Sequence, residues 1–393
     1  MTESRLSNAS GLRGLNGPPH VGTGRRRLAA LAGGAVLTLA VALPTSAAAA
    51  TTRTAAHKTA SQENEYRQRN LVSDIPGVAR TTDPNLVNPW GMAAGPATPI
   101  WVSDNGTDST TLYKGATHHD RLTPLGLVVS IPGGAPTGQV FNPSDDWVVK
   151  SGSSSGPALF IFASENGSIQ GWNPGVPPPA PSTAAQNGVT TPGAVYKGLA
   201  ITTGSGGDFL YAANFHAGTI DVFNDAFAPL HWAGAFSDPS LPAGYAPFNI
   251  QNLGGRLYVT YALQKPDKHD DLAGPGHGFI DVYDLKGTLL KRLVSGGPLN
   301  SPWGLEIAPS DFGRFGEHLL VGNFGDGRIN VFDVGSGDFD GQLKNEDGDF
   351  IAIQGLWGLR FGNGVAGTPH TLFFTAGIAD EQHGLMGTIE AVR

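Results

Sequence analysis

Apolar and polar positions alternate in short runs along most of the chain. Leu210-Tyr211-Ala212-Ala213-Asn214 is followed, after Gly218, by Ile220-Asp221-Val222-Phe223, and Leu319-Leu320-Val321-Gly322-Asn323 is followed, after Gly327, by Ile329-Asn330-Val331-Phe332. A period of two sends successive side chains to opposite faces, so each run predicts a strand with one face buried. Weaker copies of the second run follow Gly167, Gly278 and Gly387, at Ile169–Trp172, Ile280–Tyr283 and Ile389–Val392. The first copy, Ser109–Tyr113, lacks the glycine. Glycine at that place suits a tight turn from the strand before.

A second motif runs in step with the first. Asn88-Pro89-Trp90-Gly91-Met92 returns as Ser301-Pro302-Trp303-Gly304-Leu305 and as Gly355-Leu356-Trp357-Gly358-Leu359. Looser copies are Asp146-Trp147-Val148, Tyr196-Lys197-Gly198-Leu199 and Pro247-Phe248-Asn249. The leading positions 90, 147, 197, 248, 303 and 357 are spaced by 57, 50, 51, 55 and 54 residues. Each unit predicts an inner strand at the tryptophan, then second and third strands, then a fourth such as Leu125–Ile131 or Leu289–Val294. Four strands per unit at a period of roughly 40–55 residues describe a β-propeller. The fold class is therefore all-β, with six four-stranded blades. The sixth unit ends at Val392 with no room for an outer strand. Arg69-Asn70-Leu71-Val72-Ser73 resembles Lys291-Arg292-Leu293-Val294-Ser295, the outer strand of unit four. Residues 68–73 are thus expected to supply the outer strand of the last blade, closing the ring and removing an open sheet edge.

These repeats resemble those of NHL-type six-bladed propellers, a group related in shape to gluconolactonase-like enzymes. More narrowly, the Asn-Pro-Trp-Gly start and the segment Asp270-Asp271-Leu272-Ala273-Gly274-Pro275-Gly276-His277-Gly278 are similar to a family of uncharacterised exported bacterial propellers. The likeness covers about residues 66–393. It implies fold and export but no chemistry.

Composition agrees with that architecture. The 393 residues include 56 glycines and 29 prolines, about a fifth of the chain, against roughly 12% in ordinary usage. A bundle of helices does not tolerate so many breakers. The chain has no cysteine, which excludes disulfides, thiolate metal sites and a cysteine nucleophile. Arg25-Arg26-Arg27 precedes an apolar run from Leu28 to Leu43, then Pro44 and Ala48-Ala49-Ala50. A basic start, a short apolar stretch and small residues form a secretory signal, too short for a membrane span. The paired arginines also fit a twin-arginine signal. The expected domains are a signal peptide over 1–50, a disordered linker over 51–65 and the propeller over 66–393, secreted and without a membrane span after cleavage. Residues 1–50 hold five arginines and one glutamate, so the chain beyond them carries −12 rather than the whole chain's −8. That charge repels phosphate backbones and disfavours nucleic acid as a partner. A closed ring needs no second copy for stability, so a monomer is expected.

Ligands of propellers usually sit at a mouth of the central channel. The loops between second and third strands hold Asp104, Asn105, Asn166, Asn214, His216, Asn323 and Asp326, and share a face with the loops leading into the inner strands. Recurrent asparagine has two readings: turn capping through its own side chain, or an oxygen-rich ring for Ca²⁺ built from Asp104, Asn214, Asn323 and Asp326. Two of these loops are longer. Unit four inserts Gln264–Asp271 and continues through His277; unit six inserts Asp380-Glu381-Gln382-His383. Lengthened loops in a regular array are where function concentrates. His269, Asp270, Asp271, His277, Asp380 and His383 are the candidates there, with a pairing of His277 with Asp380 or His383 as acid and base or as metal ligands. The repeated tryptophans read as packing anchors or as an aromatic mouth. Lys197, the lone charge at a leading position, would neutralise a bound anion or pair with an acidic neighbour. Gly152-Ser153-Ser154-Ser155-Gly156 matches a hydrolase motif but lies in a turn without the helix that motif requires. The chain reads as a scaffold that binds a ligand or protein. A metal-dependent, lactonase-like hydrolase working at the channel mouth is the alternative.

Overall fold

The computed structural model describes residues 63–117 and 121–392. Residues 1–50, expected to be a signal peptide, and most of the expected linker lie outside the described residues. The linker's last residues already touch the ring: the Asn64 side chain donates to the Gln342 carbonyl at 2.9 Å, and Glu65 accepts the Val392 amide at 2.9 Å.

Six blades follow in chain order, each with four antiparallel strand positions from inner to outer; the outer position of blade 1 is split in two, blade 6 carries an added edge strand, and a two-stranded hairpin stands apart. Their inner strands are Pro89–Ala93, Pro136–Phe141, Tyr196–Thr202, Tyr245–Leu253, Pro302–Ile307 and Leu356–Phe361. Apart from two three-residue 3-10 turns, the described secondary structure is β, and no described helix is long and apolar enough to cross a membrane. Six apolar clusters lie between successive blades, from blades 1 and 2 round to blades 6 and 1. A sheet alone cannot bury both faces, so each blade covers its neighbour. A seventh cluster fills the axis.

The ring closes as expected. Tyr66–Ser73 pairs antiparallel with His383–Ala391 as the outer strand of blade 6, starting two residues before the expected 68–73. Thr81–Thr82 then adds a short parallel edge.

The repeated Trp-Gly pair has a packing cause. A Cβ on Gly91 would lie 2.6 Å from the Thr137 carbonyl of blade 2, on Gly304 2.6 Å from the Trp357 carbonyl, and on Gly358 2.6 Å from the Trp90 carbonyl. Inner strands therefore approach one another where only glycine fits. In blade 4, Asn249 occupies that place, and its amide donates to the Trp303 carbonyl at 2.8 Å.

Two expectations are corrected. The inner strand of blade 2 is Pro136–Phe141, led by Thr137-Gly138 and not by Trp147. A Cβ on Gly138 would meet the Leu199 amide at 2.3 Å, the close approach that marks the motif. Trp147 instead belongs to an inserted segment, is fully buried between blades 2 and 3, and donates to the Asn224 carbonyl at 2.9 Å. Hydrophobicity alone made it resemble a leading residue. The outer part of blade 1 is also two short pieces, Leu122–Pro124 and Val129–Ser130, rather than one strand over 125–131. The serine-rich hydrolase match is a hairpin, Val148–Ser151 with Ser154–Pro157, as the turn reading required.

Candidate functional site at the channel mouth

The leading residues of the inner strands meet on the axis. Trp90 stacks on Trp357 with ring centroids 3.4 Å apart, and Trp303 meets both edge-on at 5.9 Å. Phe324 stacks on Trp357 from the other side, and Phe215 and Phe248 complete the cluster. All three indoles are at most 4% exposed. The tryptophans of three blades thus form a plug across the channel, and the packing reading holds for them.

Above this plug sits Lys197, the leading residue of blade 3. Its ammonium lies 5.1 Å from the Trp90 ring centroid, and its side chain is 2% exposed. A buried ammonium needs counter-charges. Glu165, from the second-to-third loop of blade 2, makes a short ion pair with it, and Asp270 Oδ1 of the blade-4 insertion stands at 3.5 Å. Of the two roles open to Lys197, the acidic neighbour is the one realised. Asn105 Nδ2 of blade 1 donates to Glu165 Oε2 at 2.9 Å, and Asn88 Nδ2 reaches both Asn105 Oδ1 at 3.3 Å and Glu381 Oε2 of blade 6 at 2.8 Å. Trp357 Nε1 donates to Asn88 Oδ1 at 3.1 Å, tying this belt to the plug. Ser301 at the start of blade 5 donates to Asp271. Every blade therefore supplies a residue to one mouth.

The electrostatics are lopsided. Glu165, Asp270 and Glu381 surround the buried Lys197, and the exposed Lys265 ammonium lies 3.8 Å from Asp270 Oδ2. Burial raises the Glu381 carboxyl above its ordinary value, opposed by Asn88 and Lys197. Asp271 is raised by burial too, against the Ser301 hydroxyl. Burial also pushes on Asp270, but the His269 hydrogen bond and the Lys197 charge hold its carboxyl below the usual range. His269 Nδ1 lies 2.9 Å from Asp270 Oδ1, and one ligating atom each from Glu165, His269 and Asp270 fall within 4.8 Å of one another. The indole nitrogen of Trp90 is buried and has no hydrogen-bond partner.

Of the candidates read from sequence, the mouth gathers Asn105, His269, Asp270 and Asp271. The others go elsewhere. Asp104 is fully buried and accepts the Thr111 hydroxyl at 2.8 Å. Asn214 donates to Asp221 at 2.9 Å and accepts the Ala217 amide, while Asn323 donates to the Pro298 carbonyl and to Asp326 at 3.0 Å. The bonds these three make stay within their own blades, while Asp104 Oδ1 and Asn323 Oδ1 are buried without a partner, and neither Asp104 nor Asp326 belongs to the group of ligating atoms at Glu165, His269 and Asp270. His216 is exposed beside Gln264. His277 Nδ1 is held by the Leu272 carbonyl at 2.8 Å, and His383 Nδ1 by Asp74 at 2.6 Å, while Asp380 is exposed. The expected pairing of His277 with Asp380 or His383 is therefore replaced by separate local partners. Sequence reasoning missed Glu165 and Glu381 as site residues. Both lie beside residues it did single out, Asn166 and Asp380, and a loop position alone does not say which of two neighbours faces the axis.

No protein-family profile matches the chain. Proteins of Acanthamoeba polyphaga mimivirus are similar to it. Uncharacterized protein R648 is 35% identical over 331 residues, spanning 81% of this chain and 78% of the relative. Uncharacterized protein L690 is 33% identical over 338 residues, spanning 82% and 85%. Among solved structures, the soluble aldose sugar dehydrogenase of Escherichia coli superposes with a TM-score of 0.50 over 84% of this chain and 100% of its own, at 12% identity, a likeness of fold alone. With a third of its residues shared over four-fifths of its length, the chain belongs to the family of the mimivirus proteins R648 and L690.

Proposed function

We propose that the protein is an exported ligand-binding propeller whose channel mouth takes a divalent cation between Glu165, His269 and Asp270, by itself or as part of a larger ligand. One observation carries the reading: three carboxylates and an imidazole converge around a single buried ammonium. The residual negative charge favours a cation, and the carboxylate oxygens of Glu165 and Asp270 suit Ca²⁺. His269 admits Zn²⁺ or Mn²⁺ as well. Export rests on the basic and apolar segment within residues 1–50, which lies outside the described residues.

Thermal melts with CaCl2, MnCl2, ZnCl2 or EDTA, together with metal analysis of the purified protein, test this. At least one cation is expected to raise Tm, and the double variant Glu165→Gln, Asp270→Asn is expected to abolish that rise. A protein that retains no metal and melts identically under all four conditions overturns the reading.

A metal-dependent hydrolase is the second reading. The hydrogen-bonded His269–Asp270 pair at the mouth favours it, since such a pair can move a proton at a bound water. Turnover of a lactone or ester panel that is lost in His269→Gln distinguishes it from a scaffold that binds metal without turnover.

A further inference from the structure

The plug divides the channel, and a separate cavity opens on the far side. It has a volume of about 580 Å³ and is walled by the inner strands of blades 1, 2, 3, 4 and 6, with Trp303 among its lining residues. Lys197 and Thr202 lie five residues apart on one inner strand, or about 16 Å at ~3.3 Å per residue. Thr202 lines the cavity and Lys197 does not, so the two mouths are distinct.

Arg360 is the one charged side chain among the lining residues. It follows Trp357 by three positions on the inner strand of blade 6, where blades 1 and 3 carry Ala93 and Ala200. Its guanidinium offers five N–H donors. Nη2 donates to the Ala94 carbonyl at 2.9 Å, and Nε is buried without a partner. Glu306 on the neighbouring inner strand acts on it through space. Burial raises the Glu306 carboxyl to about 7, against the opposing charge of Arg360. The remaining wall mixes apolar groups, such as Leu199 and Ile201, with neutral polar ones at Thr203, Gln251 and Asn252. A cavity of this size suits a small molecule, and a few polar groups in an apolar wall orient it. Arginine's planar fork matches a carboxylate in two-point contact.

We infer that this far mouth is a second ligand site, taking a small hydroxylated organic monocarboxylate whose carboxylate pairs with Arg360. Calorimetry and thermal melts of the full chain with three probes test it: mandelate, its neutral amide mandelamide, and phenyl phosphate. Mandelate is expected to bind saturably. Replacing its carboxylate by the amide weakens binding by about tenfold or more, the size of one hydrogen bond to a charged group. Arg360→Met is expected to lose mandelate binding and Arg360→Lys to weaken it, since lysine keeps charge but not the fork. The variant Glu165→Gln, Asp270→Asn is expected to bind mandelate like the parent, which separates this site from the opposite mouth. Equal binding of mandelate and mandelamide by the parent overturns the inference, and needs no variant to fold. So does binding of phenyl phosphate alone, no saturable binding of mandelate, or unchanged mandelate binding by both Arg360 variants.

Discussion

A single missing Cβ decides how close two blades come. Gly304 has ordinary backbone angles, so its need for glycine is not conformational; the Trp357 carbonyl occupies the space its side chain would take. Gly218 serves the turn instead, with φ of +72° and nothing near its Cβ position, whereas Gly327 combines the same φ with a close approach to the Ile353 carbonyl. Gly304→Ala is expected to destabilise the protein by about 1–3 kcal/mol, the usual cost of overpacking. Gly126, where a Cβ meets nothing within 4 Å, is the control: denaturant unfolding should leave Gly126→Ala near the parent. Equal midpoints for the two variants would remove the packing account of the Trp-Gly motif. The glycine was legible in the sequence, but its partner was not. A repeat shows that a position matters, whereas contact with the next blade depends on how the sheets sit around the axis.

At the scale of elements, the closing strand carries the most weight. Tyr66, Leu71 and Val72 are at most 2% exposed within Tyr66–Ser73, and Tyr66 also bonds the Phe312 carbonyl at 3.1 Å. Burying three such side chains is worth roughly 5–9 kcal/mol by transfer free energies, comparable with the whole stability of a typical domain. Deleting residues 1–73 exposes the edge of His383–Ala391 and is expected to leave a protein that aggregates or melts far below the parent. A truncated protein with the parent's Tm would show that closure is dispensable. This strand was readable because it shares a pattern with the outer strand of unit four. The inner strand of blade 2 was misplaced because Thr137 lacks an aromatic ring and Trp147 supplies one nearby. Side-chain type misleads where backbone proximity, marked by Gly138, defines the element.

For the whole molecule, burial of acids sets the response to pH. Burial raises Glu306 from 4.5 to about 7 against the opposing charge of Arg360, and raises Glu381 and Asp271 as well. A raised carboxyl means that the native state keeps a proton the unfolded chain has released. The stability linked to Glu306 is therefore fully present below about pH 4.5 and is lost as pH rises through about 7. Tm is expected to fall between pH 5 and 7.5, and Glu306→Gln to flatten that fall. A slope unchanged by the substitution would exclude Glu306 as its source.

The sequence by itself determined the six-fold repeat, the all-β class and the ring closure, because these follow from local alternation and from copies compared along one dimension. It also pointed to loops that meet over the plug and to four residues there: Asn105, His269, Asp270 and Asp271. Only the tertiary structure decided that Glu165 and Glu381 join them around Lys197, that Asp104, Asn214 and Asn323 bond within their own blades, and that a plug of indoles separates two mouths. The physical reason is the same in each case. A propeller site is assembled across the axis from residues tens to hundreds of positions apart, and the charge, burial and hydrogen bonding that give each its role exist only once the blades have closed.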